Sequence, residues 1–136
     1  MKIPLYLLSA ALRGVIAQKL IKRLCPNCRK KARAGEAEKR LLGIIDHDIE
    51  LFYPVGCSLC HGSGYQGRIA VWEVLKITKR IRESIGKGAD YDTIRKLAIQ
   101  DGFKPIEESL KRHLLLGNTS ISQGAEILTF ENEWHR

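Results

Sequence analysis

Nowhere in the 136 residues is there a Gly-x-x-x-x-Gly-Lys-Ser/Thr phosphate-binding loop. Gly86-Lys87 lacks the earlier glycine and is followed by Gly88, and no apolar run ends in the acidic pair that would hold Mg²⁺. Taken alone, the chain is expected not to hydrolyse ATP. No credible Ser/His/Asp or Cys/His triad is present, and no stretch approaches the roughly 20 apolar residues that span a bilayer. Low-complexity tracts are missing, and the sole internal repeat is a doubled Cys-x-x-Cys. Methionine occurs once, at Met1, and no aromatic residue falls between Tyr6 and Phe52.

What is present is the composition of an ordinary globular chain, 44% hydrophobic, with room for one domain or a fragment carrying a small module. A chain this short buries only about two-thirds of its unfolded surface, so a metal cross-link would add usefully to a modest core. The formal net charge is +8. Four metal-bound thiolates and a divalent ion would lower it to about +6. A basic surplus favours nucleic acid, an anionic membrane face or an acidic protein as partner. The basic residues are spread out except at Lys19, Lys22, Arg23, Arg29, Lys30, Lys31 and Arg33. Such a patch is equally read as a solvated face around a metal.

Lys2 followed by the apolar run Ile3–Leu12 has the outline of a signal peptide, but Arg13 interrupts the run and no clear cleavage site follows. The cysteines are therefore assigned to a reducing compartment, where thiols bind metal more often than they form disulfides.

Residues 68–75 are rich in β-branched and aromatic residues and follow a glycine-rich turn, which predicts a strand. Four short helices are expected after it. The first runs from Lys79 to Ile85, capped by Thr78, and the second from near Asp90 to Gly102, with Tyr91, Ile94, Leu97 and Ala98 on one face. A third carries Ile106, Leu110 and Leu114 and ends at Gly117. The last opens with a capping-box pattern, Ser120-x-x-Gln123, ahead of Ala125, Ile127 and Leu128, and is weakened by Gly124. Nothing after Phe130 patterns with an element, which predicts a frayed tail. Ile16, Leu20 and Leu24 fall at helical spacing, so periodicity alone favours a helix over 15–24.

The chemistry lies in Cys25-x-x-Cys28, then twenty-eight residues, then Cys57-x-x-Cys60. Two residues between cysteines let one tight turn aim both sulfurs at a single ion. The second pair completes the closed four-thiolate tetrahedron of structural Zn²⁺, with iron as the other thiolate-compatible metal. Pro26-Asn27 in one turn, and Gly56, Gly62 and Gly64 around the other, suit turns whose backbone amides point at sulfur. No position is left open for a catalytic water.

Cys57-Ser-Leu-Cys60-His61 also spells the covalent haem motif, but that reading strands Cys25 and Cys28 and has no second methionine to supply an axial ligand. A dithiol redox pair would not need its twin. His47, His61, His113 and His135 are expected on the surface or on helix faces, and Glu73 is a partner for Arg68 or faces solvent.

The run from Ser9 through Gly14-Val-Ile-Ala-Gln-Lys-Leu into Cys25-Pro-Asn-Cys28 resembles the late part of the type II secretion and type IV pilus-assembly ATPases. So do Gly56-Cys57 through Arg68 with Ser63 for threonine, Glu73-Val-Leu75, Ile81 to Ile85, Asp101-Gly102-Phe103 and Gly117-Asn-Thr-Ser120. The retraction ATPases of that superfamily lack the four cysteines. Lys19 in place of arginine and Gly124 in place of an acidic helix former depart from the pattern.

The resemblance implies an α+β, mostly helical fold. Residues 1–24 would be the tail end of a RecA-like ATPase core, a helix and then a strand. Residues 25–67 would be a tetracysteine zinc-binding insertion, 68–77 the antiparallel returning strand, 78–130 a small C-terminal helical bundle and 131–136 a disordered tail. It further implies a missing upstream core that holds ATP and Mg²⁺, with Met1 the start of a truncated frame. A hexamer, an inner-membrane platform protein as partner and a cytoplasmic place at the inner membrane follow in the same way.

Two other readings stand beside it. A stand-alone basic zinc module would bind nucleic acid, but would want aromatics interleaved with its basic residues, so no nucleic acid is expected. A fragment of a DnaJ-type chaperone zinc region is suggested by Cys57-x-x-Cys60-x-Gly62-x-Gly64, although the Cys25 half lacks the matching glycines.

Overall fold

Residues 14–24 form a strand, β1, despite the helical spacing of their leucines. Of that apolar set, Ile16 and Leu20 are exposed while Leu24 and its neighbour Ile21 are buried. The partner that decides the matter lies about fifty residues downstream: β4, Tyr65–Lys76. The ladder is antiparallel, since Cys25 N–H donates to the Gly64 carbonyl (2.9 Å) at one end and Ile77 N–H to the Arg13 carbonyl (3.1 Å) at the other. The computed structural model describes the backbone of residues 3–133 and side chains as far as Thr129.

Its elements in order are α1 (Leu5–Ala11), β1, β2 (Lys30–Arg33), α2 (Glu36–Leu42), β3 (Glu50–Tyr53), a single 3₁₀ turn (Ser58–Cys60), β4, α3 (Lys79–Gly86), α4 (Tyr91–Gln100), α5 (Ile106–Leu115) and α6 (Ile121–Glu133). The class is α+β, as expected, with six helices and two two-stranded sheets among the described residues. The frayed tail predicted from Phe130 meets a helix that continues to Glu133, and residues 134–136, with His135, lie outside the described residues.

Two compact units divide the chain. The first comprises residues 1–17 and 72–105. Its small core is Ile77, Ile81 and Ala98, joined by Leu12, Ile85, Ile94, Leu97 and Phe103. Thr78 caps α3 by accepting from Ile81 N–H (3.4 Å), and Asp90 caps α4 by accepting from Thr93 N–H (2.8 Å). These are the caps expected for a threonine and an aspartate ahead of an apolar-periodic run. Of the residues sharing that face of α4, Ala98 is buried and Tyr91 is exposed.

The second unit comprises residues 18–71 and 106–136. Here the cysteine-flanked segment carries structure of its own. β2 and β3 pair antiparallel, with Lys30 opposite Tyr53 and Arg33 opposite Glu50. Between them α2 runs from Gly35, whose N–H is held by the Glu38 carboxylate (2.8 Å), to Gly43 in the left-handed conformation. Leu42 and Leu51 from this segment pack with Leu110, Leu114, Ile127 and Leu128 of α5 and α6. The four C-terminal helices are thus shared out, α3 and α4 to one core and α5 and α6 to the other.

Candidate metal centre

Both cysteine pairs sit where the insertion leaves and rejoins the ladder. Cys25 directly follows β1, and Cys57 and Cys60 bracket the 3₁₀ turn ahead of β4. Each turn is set by local chemistry. In the first, Cys28 and Arg29 N–H both reach back to the Cys25 carbonyl (3.4 and 3.1 Å). In the second, glycines are obligatory. A Cβ on Gly56 (φ +107°) would lie 2.5 Å from the Gly62 carbonyl oxygen, and one on Gly64 (φ +76°) would lie 2.5 Å from Pro54 Cβ.

The four sulfurs all lie within 4.8 Å of one another. Cys25–Cys57, Cys28–Cys60 and Cys57–Cys60 are separated by 3.9, 3.8 and 3.8 Å. Disulfide sulfurs would be about 2.0 Å apart. A zinc ion at about 2.3 Å from each of four thiolates requires sulfur–sulfur edges of about 3.8 Å. The donor set therefore fits a tetrahedral thiophilic ion. His47 and His61 are exposed, and neither belongs to the cluster.

Hydrogen bonds aimed at the sulfurs favour the thiolate form. Cys60 Sγ accepts from the N–H groups of Cys57 (3.1 Å) and Gly64 (3.2 Å), Cys28 Sγ from Gly56 N–H (3.3 Å), and Cys57 Sγ from the Asn27 side-chain amide (3.4 Å). Burial raises the Cys60 thiol, yet these donors outweigh it and bring the group to about 6. The Asn27 amide is the main cause that lowers Cys57, followed by the Cys60 backbone N–H. Burial dominates at Cys28 and pushes it up to about 11, with the Gly56 N–H pulling the other way. A cation at the centre would favour the deprotonated form of every one of them.

Around this cluster the basic patch is partly consumed. The Arg29 guanidinium lies 4.9 Å over the Phe52 ring and donates to the Gly117 carbonyl. Lys31 pairs with Glu50, and Lys22 lies 5.8 Å over the Tyr65 ring. Folding thus brings aromatics to basic residues that are far from them in sequence. These rings face cations of their own chain, where a base-stacking surface needs them free.

Sequence reasoning missed how residues 117–123 fasten to the cysteine-bearing strands. Leu24 N–H donates to the Asn118 carbonyl (2.9 Å), Thr119 Oγ1 to the Lys22 carbonyl (2.8 Å), and the Tyr65 hydroxyl meets Ser120 Oγ (2.8 Å). The Gln123 side chain, expected to close a capping box, accepts from Lys22 N–H instead (3.4 Å). His113, on α5, is half-buried, with Asn118 Nδ2 donating to its Nδ1 (3.1 Å). Burial, and secondarily Arg112, hold the imidazole below its ordinary range.

The family model described as Type II/IV secretion system protein matches residues 1–127. The chain is similar to the type II secretion system protein E of Aeromonas hydrophila, 34% identical over 119 residues, covering 87% of this chain and 24% of the relative. It is similar to the type IV pilus assembly ATPase PilB of Thermus thermophilus, 33% identical over 119 residues, covering 85% of this chain and 13% of the relative. The type II secretion system protein E of Pseudomonas aeruginosa is 32% identical over 119 residues, covering 87% and 24% respectively. The chain spans about a quarter or less of these relatives, and no helix among its described residues is long and apolar enough to cross a membrane. With its matched region running from α1 into α6, the chain belongs to the Type II/IV secretion system protein family.

Proposed function

We propose that the chain is the non-catalytic, zinc-binding C-terminal region of a hexameric secretion or pilus-assembly ATPase, with Cys25, Cys28, Cys57 and Cys60 as the four ligands of one structural Zn²⁺. The observation that carries the reading is the closed cluster of four sulfurs at tetrahedral spacing in a member of this family. All four corners are protein sulfur, so the ion would hold structure and leave no position for a reacting water. ATP and Mg²⁺ belong, on this reading, to a RecA-like core to which residues 1–24 and 68–77 are the end. The bare β1–β4 pair supports that view, because it exposes Val15, Ile16, Leu20, Trp72 and Val74, residues suited to a covered sheet. The working partners would be neighbouring subunits and a platform protein of the inner membrane, with the ATPase on the cytoplasmic side.

The first test is the metal content of protein purified without added metal, with thiols counted before and after chelation. One zinc per chain, with four thiols appearing only after chelation, is the expected result. Four thiols that react at once in metal-free protein would sink the site.

A further inference from the structure

We propose that metal binding and the seating of the α5–α6 connection, residues 116–120, are one linked event, so that each stabilises the other. The inference rests on the zinc reading above and goes beyond it, because it assigns the ion control over helices that hold none of its ligands.

Three polar contacts of the connection end on residues beside the metal cluster. Leu24, which holds Asn118, immediately precedes Cys25. Arg29, which holds the Gly117 carbonyl, immediately follows Cys28. Tyr65, which holds Ser120, follows Gly64, whose N–H donates to Cys60 Sγ and whose carbonyl accepts from Cys25 N–H. The Phe52 ring packs against both the Arg29 guanidinium and Gly117, where a Cβ would come within 2.5 Å of the ring. Thr119 and Ser120 are almost fully buried, and their hydroxyls are satisfied by the Lys22 carbonyl of β1 for Thr119 and by Tyr65 and Ser122 for Ser120.

Loss of the ion frees the end of β1 and the turn before β4 at once. The connection then loses Leu24, Arg29 and Tyr65 together, and the Thr119 bond to Lys22 on the same loosened end of β1 weakens with them. α5 and α6 are tied to the same event through Leu110, Leu114, Ile127 and Leu128, which share a core with Leu42 and Leu51 of the insertion. Linkage is reciprocal: the factor by which the bound ion favours the seated connection is the factor by which the seated connection favours the bound ion, so unseating it weakens metal binding up to that factor.

Hydrogen exchange on the full chain, zinc-loaded and zinc-stripped under reducing conditions, tests the proposal. Amides of residues 106–128 are expected to lose protection on stripping together with those of 25–64, while residues 79–100 keep theirs. In the reciprocal arm, Gly117→Val and the milder Thr119→Val are expected to weaken zinc binding by about 5–150-fold, the usual span of coupling between linked sites. Asp90→Ala, which removes the cap of α4, should leave zinc affinity unchanged. Protection of 106–128 that survives stripping, or wild-type zinc affinity in both variants, overturns the coupling and leaves the zinc site standing. Failure to take up zinc at all overturns both.

Discussion

Gly62 and Gly64 share a backbone conformation, φ +77° and +76°, yet their surroundings differ. A Cβ on Gly62 meets nothing within 4 Å, whereas one on Gly64 strikes Pro54 Cβ at 2.5 Å and its Cα at 3.1 Å. Alanine at either position carries the left-handed penalty of about 1–2 kcal/mol. At Gly64 it must also displace a proline, and overpacking of that kind costs about 1–3 kcal/mol more. The total there is roughly 2–5 kcal/mol. Moving Gly64 disturbs the N–H bonded to Cys60 Sγ and the carbonyl bonded to Cys25 N–H, so the cost falls on the zinc-bound form. Converted at 1.4 kcal/mol per decade, Gly64→Ala should weaken zinc binding by about 30- to several thousand-fold, and Gly62→Ala by about 5–30-fold. Competition against a chromogenic chelator at fixed pH measures both. Equal losses in the two variants, or a Gly64→Ala protein within fivefold of wild type, would refute the assignment of this turn to sterics.

Two further outcomes follow from particular contacts. His113 has its folded pKa depressed, so the folded state disfavours the protonated imidazole. Its contribution is present above the unfolded value near 6.5 and is lost as pH falls below it towards the folded value. Melts of zinc-saturated protein between pH 7.5 and 5 should therefore show a decline that His113→Gln reduces, and identical pH profiles would remove His113 from the account. At Gly124, alanine gains about 1 kcal/mol of helix propensity but meets the fully buried Leu110 side chain at 2.8–3.2 Å. Overpacking of about 1–3 kcal/mol wins at a site this tight, so denaturant unfolding should show a net loss, and a stabilised variant would contradict it.

The cysteine turns and helix caps were legible because their signals are local. A Cys-x-x-Cys turn, a Thr78 or Asp90 cap and a glycine stop each act within a few residues. β1 was not legible from periodicity, because what makes it a strand is β4; family resemblance supplied that pairing. The interior of the insertion was missed for a related reason. β2 finds its partner across α2, with Lys30 opposite Tyr53, and its strand pattern is fully exposed. A run such as Lys30-Lys-Ala-Arg33 carries no apolar alternation to read. Gly124 shows the opposite error: judged by propensity it weakens a helix, whereas in the fold it lets α6 approach Leu110.

The position of the cluster bears on what holds the insertion together. Between Cys28 and Cys57 the fully buried aliphatic side chains are Leu42 and Leu51, with Ala34 close behind. Two leucines at about 1.5–3 kcal/mol each are a small return against the ordering of so polar a stretch. Structural zinc in isolated peptides is worth about 10–16 kcal/mol, several times that burial. It also acts at the right place, because the Cys25 N–H to Gly64 carbonyl bond ends the β1–β4 ladder where the insertion departs. A clamp there fixes both ends of the excursion whatever lies between them. Its interior need then satisfy only a four-rung ladder and the leucines that meet α5 and α6. On that argument, polar substitutions at exposed positions of α2 such as Ala37 should be tolerated, while loss of any one sulfur should release the whole segment.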